Sequence, residues 1–235
     1  MDPLLKIRDA HKRGILDEKT FKLIKNRFDL AVSGIARIEK ASGLYYPIAY
    51  VDPSAIIVRQ DSKAYQYGIF FARTIPIVTD SEVQVVIQIS APLIAYGLKG
   101  TIHAILAHEF LHYLELLYRI GHMKVISDEI TGNLFESAYA DESRLFEPSA
   151  VFTDRMLLRH IVKRFPSGFR DYKLEDKTVK NWIDKGLPQT EITADSNTTR
   201  LSAESLSRMN IDAVLLEKLD KIEKTSEKII RRKSY

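Results

Sequence analysis

The stretch AILAHEFLHYLEL at 104–116 sets two histidines four residues apart, with a glutamate directly after the first: His108, Glu109 and His112. On a helix, residues four apart lie one above the other, so the two imidazoles can reach a single point. Two ring nitrogens at about 2.0–2.1 Å make half of a tetrahedral zinc shell. Glu109 is turned by about 100° from His108. That keeps its carboxylate off the ion but within reach of a water beside it, from which a carboxylate takes the proton as general base. The competing reading is an ordinary helix with two core histidines. The neighbours Ile102, Ile105, Leu106, Phe110, Leu111 and Leu114 are apolar enough to bury the pair, and buried neutral imidazoles without partners are costly. The pattern therefore points to Zn2+ held by His108 and His112, with Glu109 as the catalytic base.

A catalytic zinc takes a third protein ligand and keeps one position open. The chain has no cysteine, so that ligand must be His, Asp or Glu. The run DEITGNLFESAYADESRLFE (128–147) reads as a helix whose apolar stripe holds Leu134, Phe135, Ala138, Leu145 and Phe146. At about 100° per residue, Glu142 falls within roughly 40° of Ala138, inside that stripe. A carboxylate there is expensive unless it is paired or bound to metal. Glu142 is thus the first candidate on geometry. Glu136 points roughly 160° away unless a π-bulge re-aims it, and Asp141 lies at the stripe's edge. Tyr139, His160 and Tyr172 are candidate donors to a developing oxyanion. Glu115 shares a face with His112 and could orient it, whereas His103 points elsewhere and reads as structural.

The elements that must position these groups follow from the periodicity. Residues 4–13 suit a short helix. A longer one follows Asp17, a natural N-cap, with Phe21, Ile24, Phe28, Val32, Ile35 and Ile38 at three- and four-residue steps and Gly43 as the stop. Between 45 and 90 the texture turns to β-branched and aromatic runs: YYPIAYV, SAIIVR, YGIFFARTIPIV and VQVVIQIS. In the last run Val83, Val85, Ile87 and Ile89 face one way, and Gln84, Val86, Gln88 and Ser90 make a half-exposed face. A strong helix is expected from Thr101, as N-cap, to Ile120, with Gly121 behind it. Further helices are expected at 128–147, closed by Pro148, at 149–165 and at 178–186. The fold class expected is α+β: a small mixed sheet with an edge strand packed on the HExxH helix, then a helical half. The division expected is a domain at 1–186, a polar linker at 187–200 and a C-terminal amphipathic helix at 201–235. Leu215, Leu219, Ile222 and Ile229 form that helix's stripe, for packing on its own domain or for self-association through a coiled seam.

AHEFLHYLE after VQVVIQIS resembles the zincin metallopeptidases, over residues 45–150. The resemblance implies an edge strand before the active-site helix, here 83–90, that holds a peptide or protein substrate by strand addition. Glu115 and Tyr118 stand where the long metzincin motif has Gly and His, so the likeness is to gluzincins, which take a glutamate from the next helix. The nearest match to that pattern is ESAYAD, with Ala140 and Asp141 in place and Glu136 one residue early. On family spacing Glu136 becomes the rival to Glu142, and Asp141 the carboxylate that orients a ligand histidine. ImmA/IrrE-like proteins, which carry the same motif and act on DNA-bound regulators, offer the alternative of a regulatory or partner-binding module. A third reading has a structural metal stapling two helices.

Composition sets the remaining bounds. The 235 residues are 45% hydrophobic and 28% charged, which suits a soluble globular chain. Absence of Cys excludes a disulfide framework and a thiol nucleophile, and with plentiful Ile, Lys, Arg and Glu it suits a thermophile protein. The net charge of +4 is gathered partly in KTSEKIIRRKSY at the end, an end more apt to be solvated than bound to nucleic acid. The most apolar stretch, 83–98, contains two glutamines and a proline, too polar for a membrane span. With no signal-peptide core at the start, a cytoplasmic protein is expected.

Overall fold

The computed structural model describes residues 2–59, 67–78, 83–122, 145–165, 169–192, 209 and 211–233. The class is mixed α+β, with two small sheets of three strands each among the described residues. Three helices open the chain: α1 (Leu5–Lys12), α2 (Glu18–Arg27) and α3 (Asp29–Ser42). Asp17 caps α2 by accepting from the Thr20 N–H at 2.6 Å. Gly43 ends α3 in the left-handed region at φ 66°, its N–H bonded to the Glu39 carbonyl. The single long helix expected here is two, broken at Phe28. Arg27, at the break, donates to the Ile94 and Gly97 carbonyls, ties that an uninterrupted helical period does not reveal.

The strands are β1 (Ala49–Asp52), β2 (Ala55–Arg59), β3 (Tyr67–Phe70), β4 (Ala72–Val78) and β5 (Val83–Ser90). In the first sheet the order is β1-β5-β4, with β1 parallel and β4 antiparallel to β5. The strand at 83–90, expected at the edge, is therefore central, and the edge beside the histidine helix is β4. Its second face is not half exposed either: Val86, Gln88 and Ser90 are buried. Gln88 is satisfied there by the Arg73 guanidinium opposite it on β4. A polar residue paired across strands is indistinguishable, in alternation alone, from one facing water. The second sheet, β3-β2-β6, takes its last strand β6 (Gln189–Ile192) from the stretch expected as a linker, parallel to β2.

After the short α4 (Ala91–Tyr96) comes α5 (Lys99–Gly121), the central helix. Eighteen of its 23 residues are buried. Thr101 does not cap it: its hydroxyl donates to Asp171 at 2.7 Å, and the helix starts two residues earlier. One face of α5 meets β5 through Leu116, Ile120, Val83 and Val85. The expected helix at 128–147 lies outside the described residues, apart from its last three positions, which are not helical. Pro148 begins α6 (Pro148–Val151) rather than closing a helix. The expected helix at 149–165 is interrupted by Asp154, which caps α7 (Arg155–Arg164) by accepting from the Met156 and Leu157 N–H groups. Arg37 of α3 grips the same carboxylate with two bonds, at 2.6 and 2.9 Å, and holds its pKa down to about 2. Next, α8 (Tyr172–Thr178) runs on as one π-helical turn to Ile183, with Trp182 fully buried.

The last helix, α9 (Ala213–Lys233), lies on α5 and α6. Leu219 is fully buried, and Leu215 and Ile222 pack against the same core. At the crossing, a Cβ on Gly121 would stand 2.4 Å from the Leu216 side chain, so a larger residue there would require that side chain to shift. Ser226 of α9 accepts from the Glu147 N–H at 3.0 Å. The amphipathic stripe is used on the chain's own core. No helix among the described residues is long and apolar enough to cross a membrane.

Leu219→Ala should therefore cost about 2–5 kcal/mol in urea denaturation, the range for emptying a buried leucine site. Val214→Ala, at a position 59% exposed on the same helix, should stay within about 0.5 kcal/mol. Equal stability of the two variants contradicts a core role for α9.

Candidate metal centre

His108 and His112 share one face of α5, and their Nε2 atoms stand 2.9 Å apart. Both are buried, at 4% and 6% exposure. The rings meet edge-on at 89°, so both nitrogens aim at one region. Two zinc–nitrogen bonds at a tetrahedral angle hold their nitrogens about 3.3 Å apart. A spread of a few tenths of an ångström thus fits the pair to such an ion. Phe165, at the end of α7, lies flat on the His108 ring (centroids 3.9 Å apart, planes 7° apart), which restricts its rotamer.

Glu109 is buried too, and its carboxylate is placed by β4. Thr74 faces α5 beside Ile87, its cross-strand neighbour. Its hydroxyl lies 3.0 Å from both the Glu109 main-chain carbonyl and Glu109 Oε2, donating to either. Burial pushes the Glu109 pKa up; the charge of His112 and the Thr74 bonds act in the opposite direction. Tyr46, stacked on Phe110, donates to the Leu106 carbonyl one turn earlier. Burial, then the charge of Glu109, raises its pKa well above the ordinary phenol value, so it is a fixed donor rather than an acid.

Glu115 is buried at 4% exposure and holds two structures together. Its Oε1 accepts from the N–H groups of Leu145 and Phe146, at 2.9 and 3.1 Å. Its Oε2 stands 3.7 Å from His112 Nδ1, the ring nitrogen turned away from His108. That distance is too long for a hydrogen bond, so among the described residues the hydrogen bonds of Glu115 go to the Leu145–Phe146 backbone rather than to His112. The Glu115 bond holds Leu145 one helical turn from His112.

The three motif residues open onto a pocket with about 670 Å³ of free space, counting its mouth. Its other walls are Ile69 and Phe70 of β3, Phe71, the β4 residues Ala72 to Thr74, Ile105, Phe165 and Phe169. Thr74 and the aromatic residues were not singled out by sequence reasoning. Thr74 becomes visible only once the β4–β5 register is known. Among the described residues, no third His, Asp or Glu joins the histidine pair; Glu142, Glu136, Asp141 and Tyr139 lie outside them. The other candidate donors are not at the site. His160 lies against Gly100 at the start of α5, and Tyr172 is 74% exposed. His122 contacts the Tyr118 carbonyl and Asp220 at the far end of α5. His103 is structural: buried against Gly34 beside Ser33 and Arg37, it has its pKa lowered to about 4, by burial first and the Arg37 charge second.

Glu115→Ala strands the Leu145 and Phe146 N–H groups and should cost about 1–3 kcal/mol. Glu115→Gln keeps an acceptor and should lose less than half as much. The check is chemical denaturation of metal-free protein; equal loss in both variants contradicts the assigned role.

No family model, curated protein or solved structure matches this chain.

Proposed function

We propose that the protein is a zinc-dependent peptidase of gluzincin type. The observation that carries this reading is the convergence of His108 and His112 Nε2 with the buried Glu109 carboxylate, on the floor of a pocket walled by an edge strand. The donors are two imidazoles and carboxylates with no thiolate, a set zinc accepts in catalytic sites. A zinc ion there supplies the positive charge that polarises a scissile carbonyl and makes a neighbouring water acidic.

The chain's residues do the rest. The outer edge of β4, unpaired by any described strand, presents backbone groups on which an extended peptide adds as a further strand. His108 and His112 would hold the ion, with the His108 ring braced by Phe165. Glu109 takes a proton from the attacking water and passes it to the leaving amine. Thr74 keeps the carboxylate aimed. The proposed third ligand is Glu142, with Glu136 the alternative. Support for Glu142 comes from covalent reach. Leu145 is bonded to Glu115 beside His112, and three residues span at most about 10 Å.

The test is Glu109→Gln, which keeps the shape and removes only the proton acceptor. Zinc content should match the parent, while hydrolysis of a mixed peptide library should fall by about 10²–10⁴-fold. A variant that binds zinc and cleaves as fast as the parent contradicts the mechanism. A parent that cleaves nothing favours the regulatory-module reading.

A further inference from the structure

The pocket beside Glu109 is walled by aromatic rings, and their arrangement identifies what enters it. Phe71, directly before β4, meets Phe169 at 5.4 Å between centroids, and Phe169 meets Phe165 at 5.4 Å. Phe165 lies flat on His108. A continuous wall of rings thus runs from the edge strand to the first histidine. Ile105, one turn before Glu109 on α5, and Phe70 of β3 complete the lining. Phe71 and Phe165 are 3% and 8% exposed, while Phe169 and Phe70 are half-buried at the rim. The polar side chains among the described lining residues are those of Thr74, Arg73 and the motif. Thr74 is engaged with Glu109, and the Arg73 guanidinium bonds Gln88, across the sheet from Thr74's face.

From this we infer that the site selects peptides carrying a large apolar side chain, aromatic above all, next to the bond to be cleaved. The occupant follows from position. A peptide added to β4 sends alternate side chains toward α5, as Thr74 does, and the first space they meet is the ring-lined cavity. An entering phenylalanine can stack or tilt against Phe169 and Phe71 at favourable ring geometry. Beyond the ion itself, an acidic side chain finds only the Arg73 guanidinium, which Gln88 already engages, and a basic one only Glu109, so either enters at a desolvation cost. Burying a Phe or Leu side chain yields about 1.5–3 kcal/mol, equivalent to about 10–100-fold in affinity.

This inference rests on the peptidase reading, and the experiment keeps the two separable. Full-length Glu109→Gln protein loaded with zinc is titrated with fluorescent hexapeptides that differ only at one central residue: Phe, Leu, Ala, Asp or Lys. Phe and Leu peptides should bind about tenfold or more tighter than Ala, with Asp and Lys no tighter than Ala. Adding Phe169→Ala should cut the Phe-over-Ala ratio below about threefold, and Phe169→Leu should restore most of it. Should Phe169→Ala fail to fold, Phe70→Ala at the rim decides by the same fall in ratio. A Phe peptide that binds no better than Ala, including because another part of the chain fills the pocket, overturns the inference. So does a ratio indifferent to both ring deletions. A preference for Phe in binding, together with a parent enzyme that cleaves nothing, sinks the peptidase reading alone. Cleavage without side-chain preference sinks the pocket assignment alone.

Discussion

Most of this structure can be derived from one constraint: α5 is enclosed on nearly every side and yet carries His103, His108, Glu109, His112 and Glu115 inside. Polar and ionisable groups in an apolar interior are tolerated only when each has a partner. The surrounding elements are arranged to supply them. Ser33 and Arg37 of α3 stand at His103, Thr74 of β4 at Glu109, and the Leu145–Phe146 backbone at Glu115. The two histidines meet edge to edge, with nitrogens at a separation close to that of two ligands on one ion. Arg37 serves twice, since its bidentate bond to Asp154 also fixes the start of the helix that ends in Phe165.

The helix, its motif and the α+β class were legible in the sequence because they depend on local period. The 3.6-residue rhythm around 101–120 and the four-residue histidine spacing need no tertiary information. What escaped depended on pairing. Whether β5 was central or at an edge could not be told from VQVVIQIS, since Gln84 and Gln88 look solvent-facing until Arg73 is placed opposite Gln88. Thr101 carried an N-cap signal but gave its hydroxyl to Asp171 instead, 70 residues away. Asp154 carried one too, inside a run read as continuous helix. The aromatic wall joins Phe71 to Phe165 and Phe169 across almost 100 residues of chain, a distance over which no sequence pattern links them.

The exchange of β5 for β4 at the edge strengthens the functional reading. With β4 at the edge among the described strands, the same strand carries Thr74, the partner of Glu109, and follows directly on Phe71, the first ring of the pocket wall. On the proposed function, substrate alignment, proton transfer and side-chain selection would share one element, which suits chemistry that needs geometry held to within about 0.5 Å.

The central claim, that His108 and His112 are ligands of one ion, is tested most directly by zinc X-ray absorption on the full-length protein. The account predicts about one zinc per chain, coordinated by two imidazole nitrogens at about 2.0–2.1 Å and a carboxylate oxygen at about 2.0–2.2 Å, with the imidazole signature halved or lost in His112→Ala. Protein that takes up no zinc, or zinc whose coordination is unchanged in His112→Ala, would contradict it.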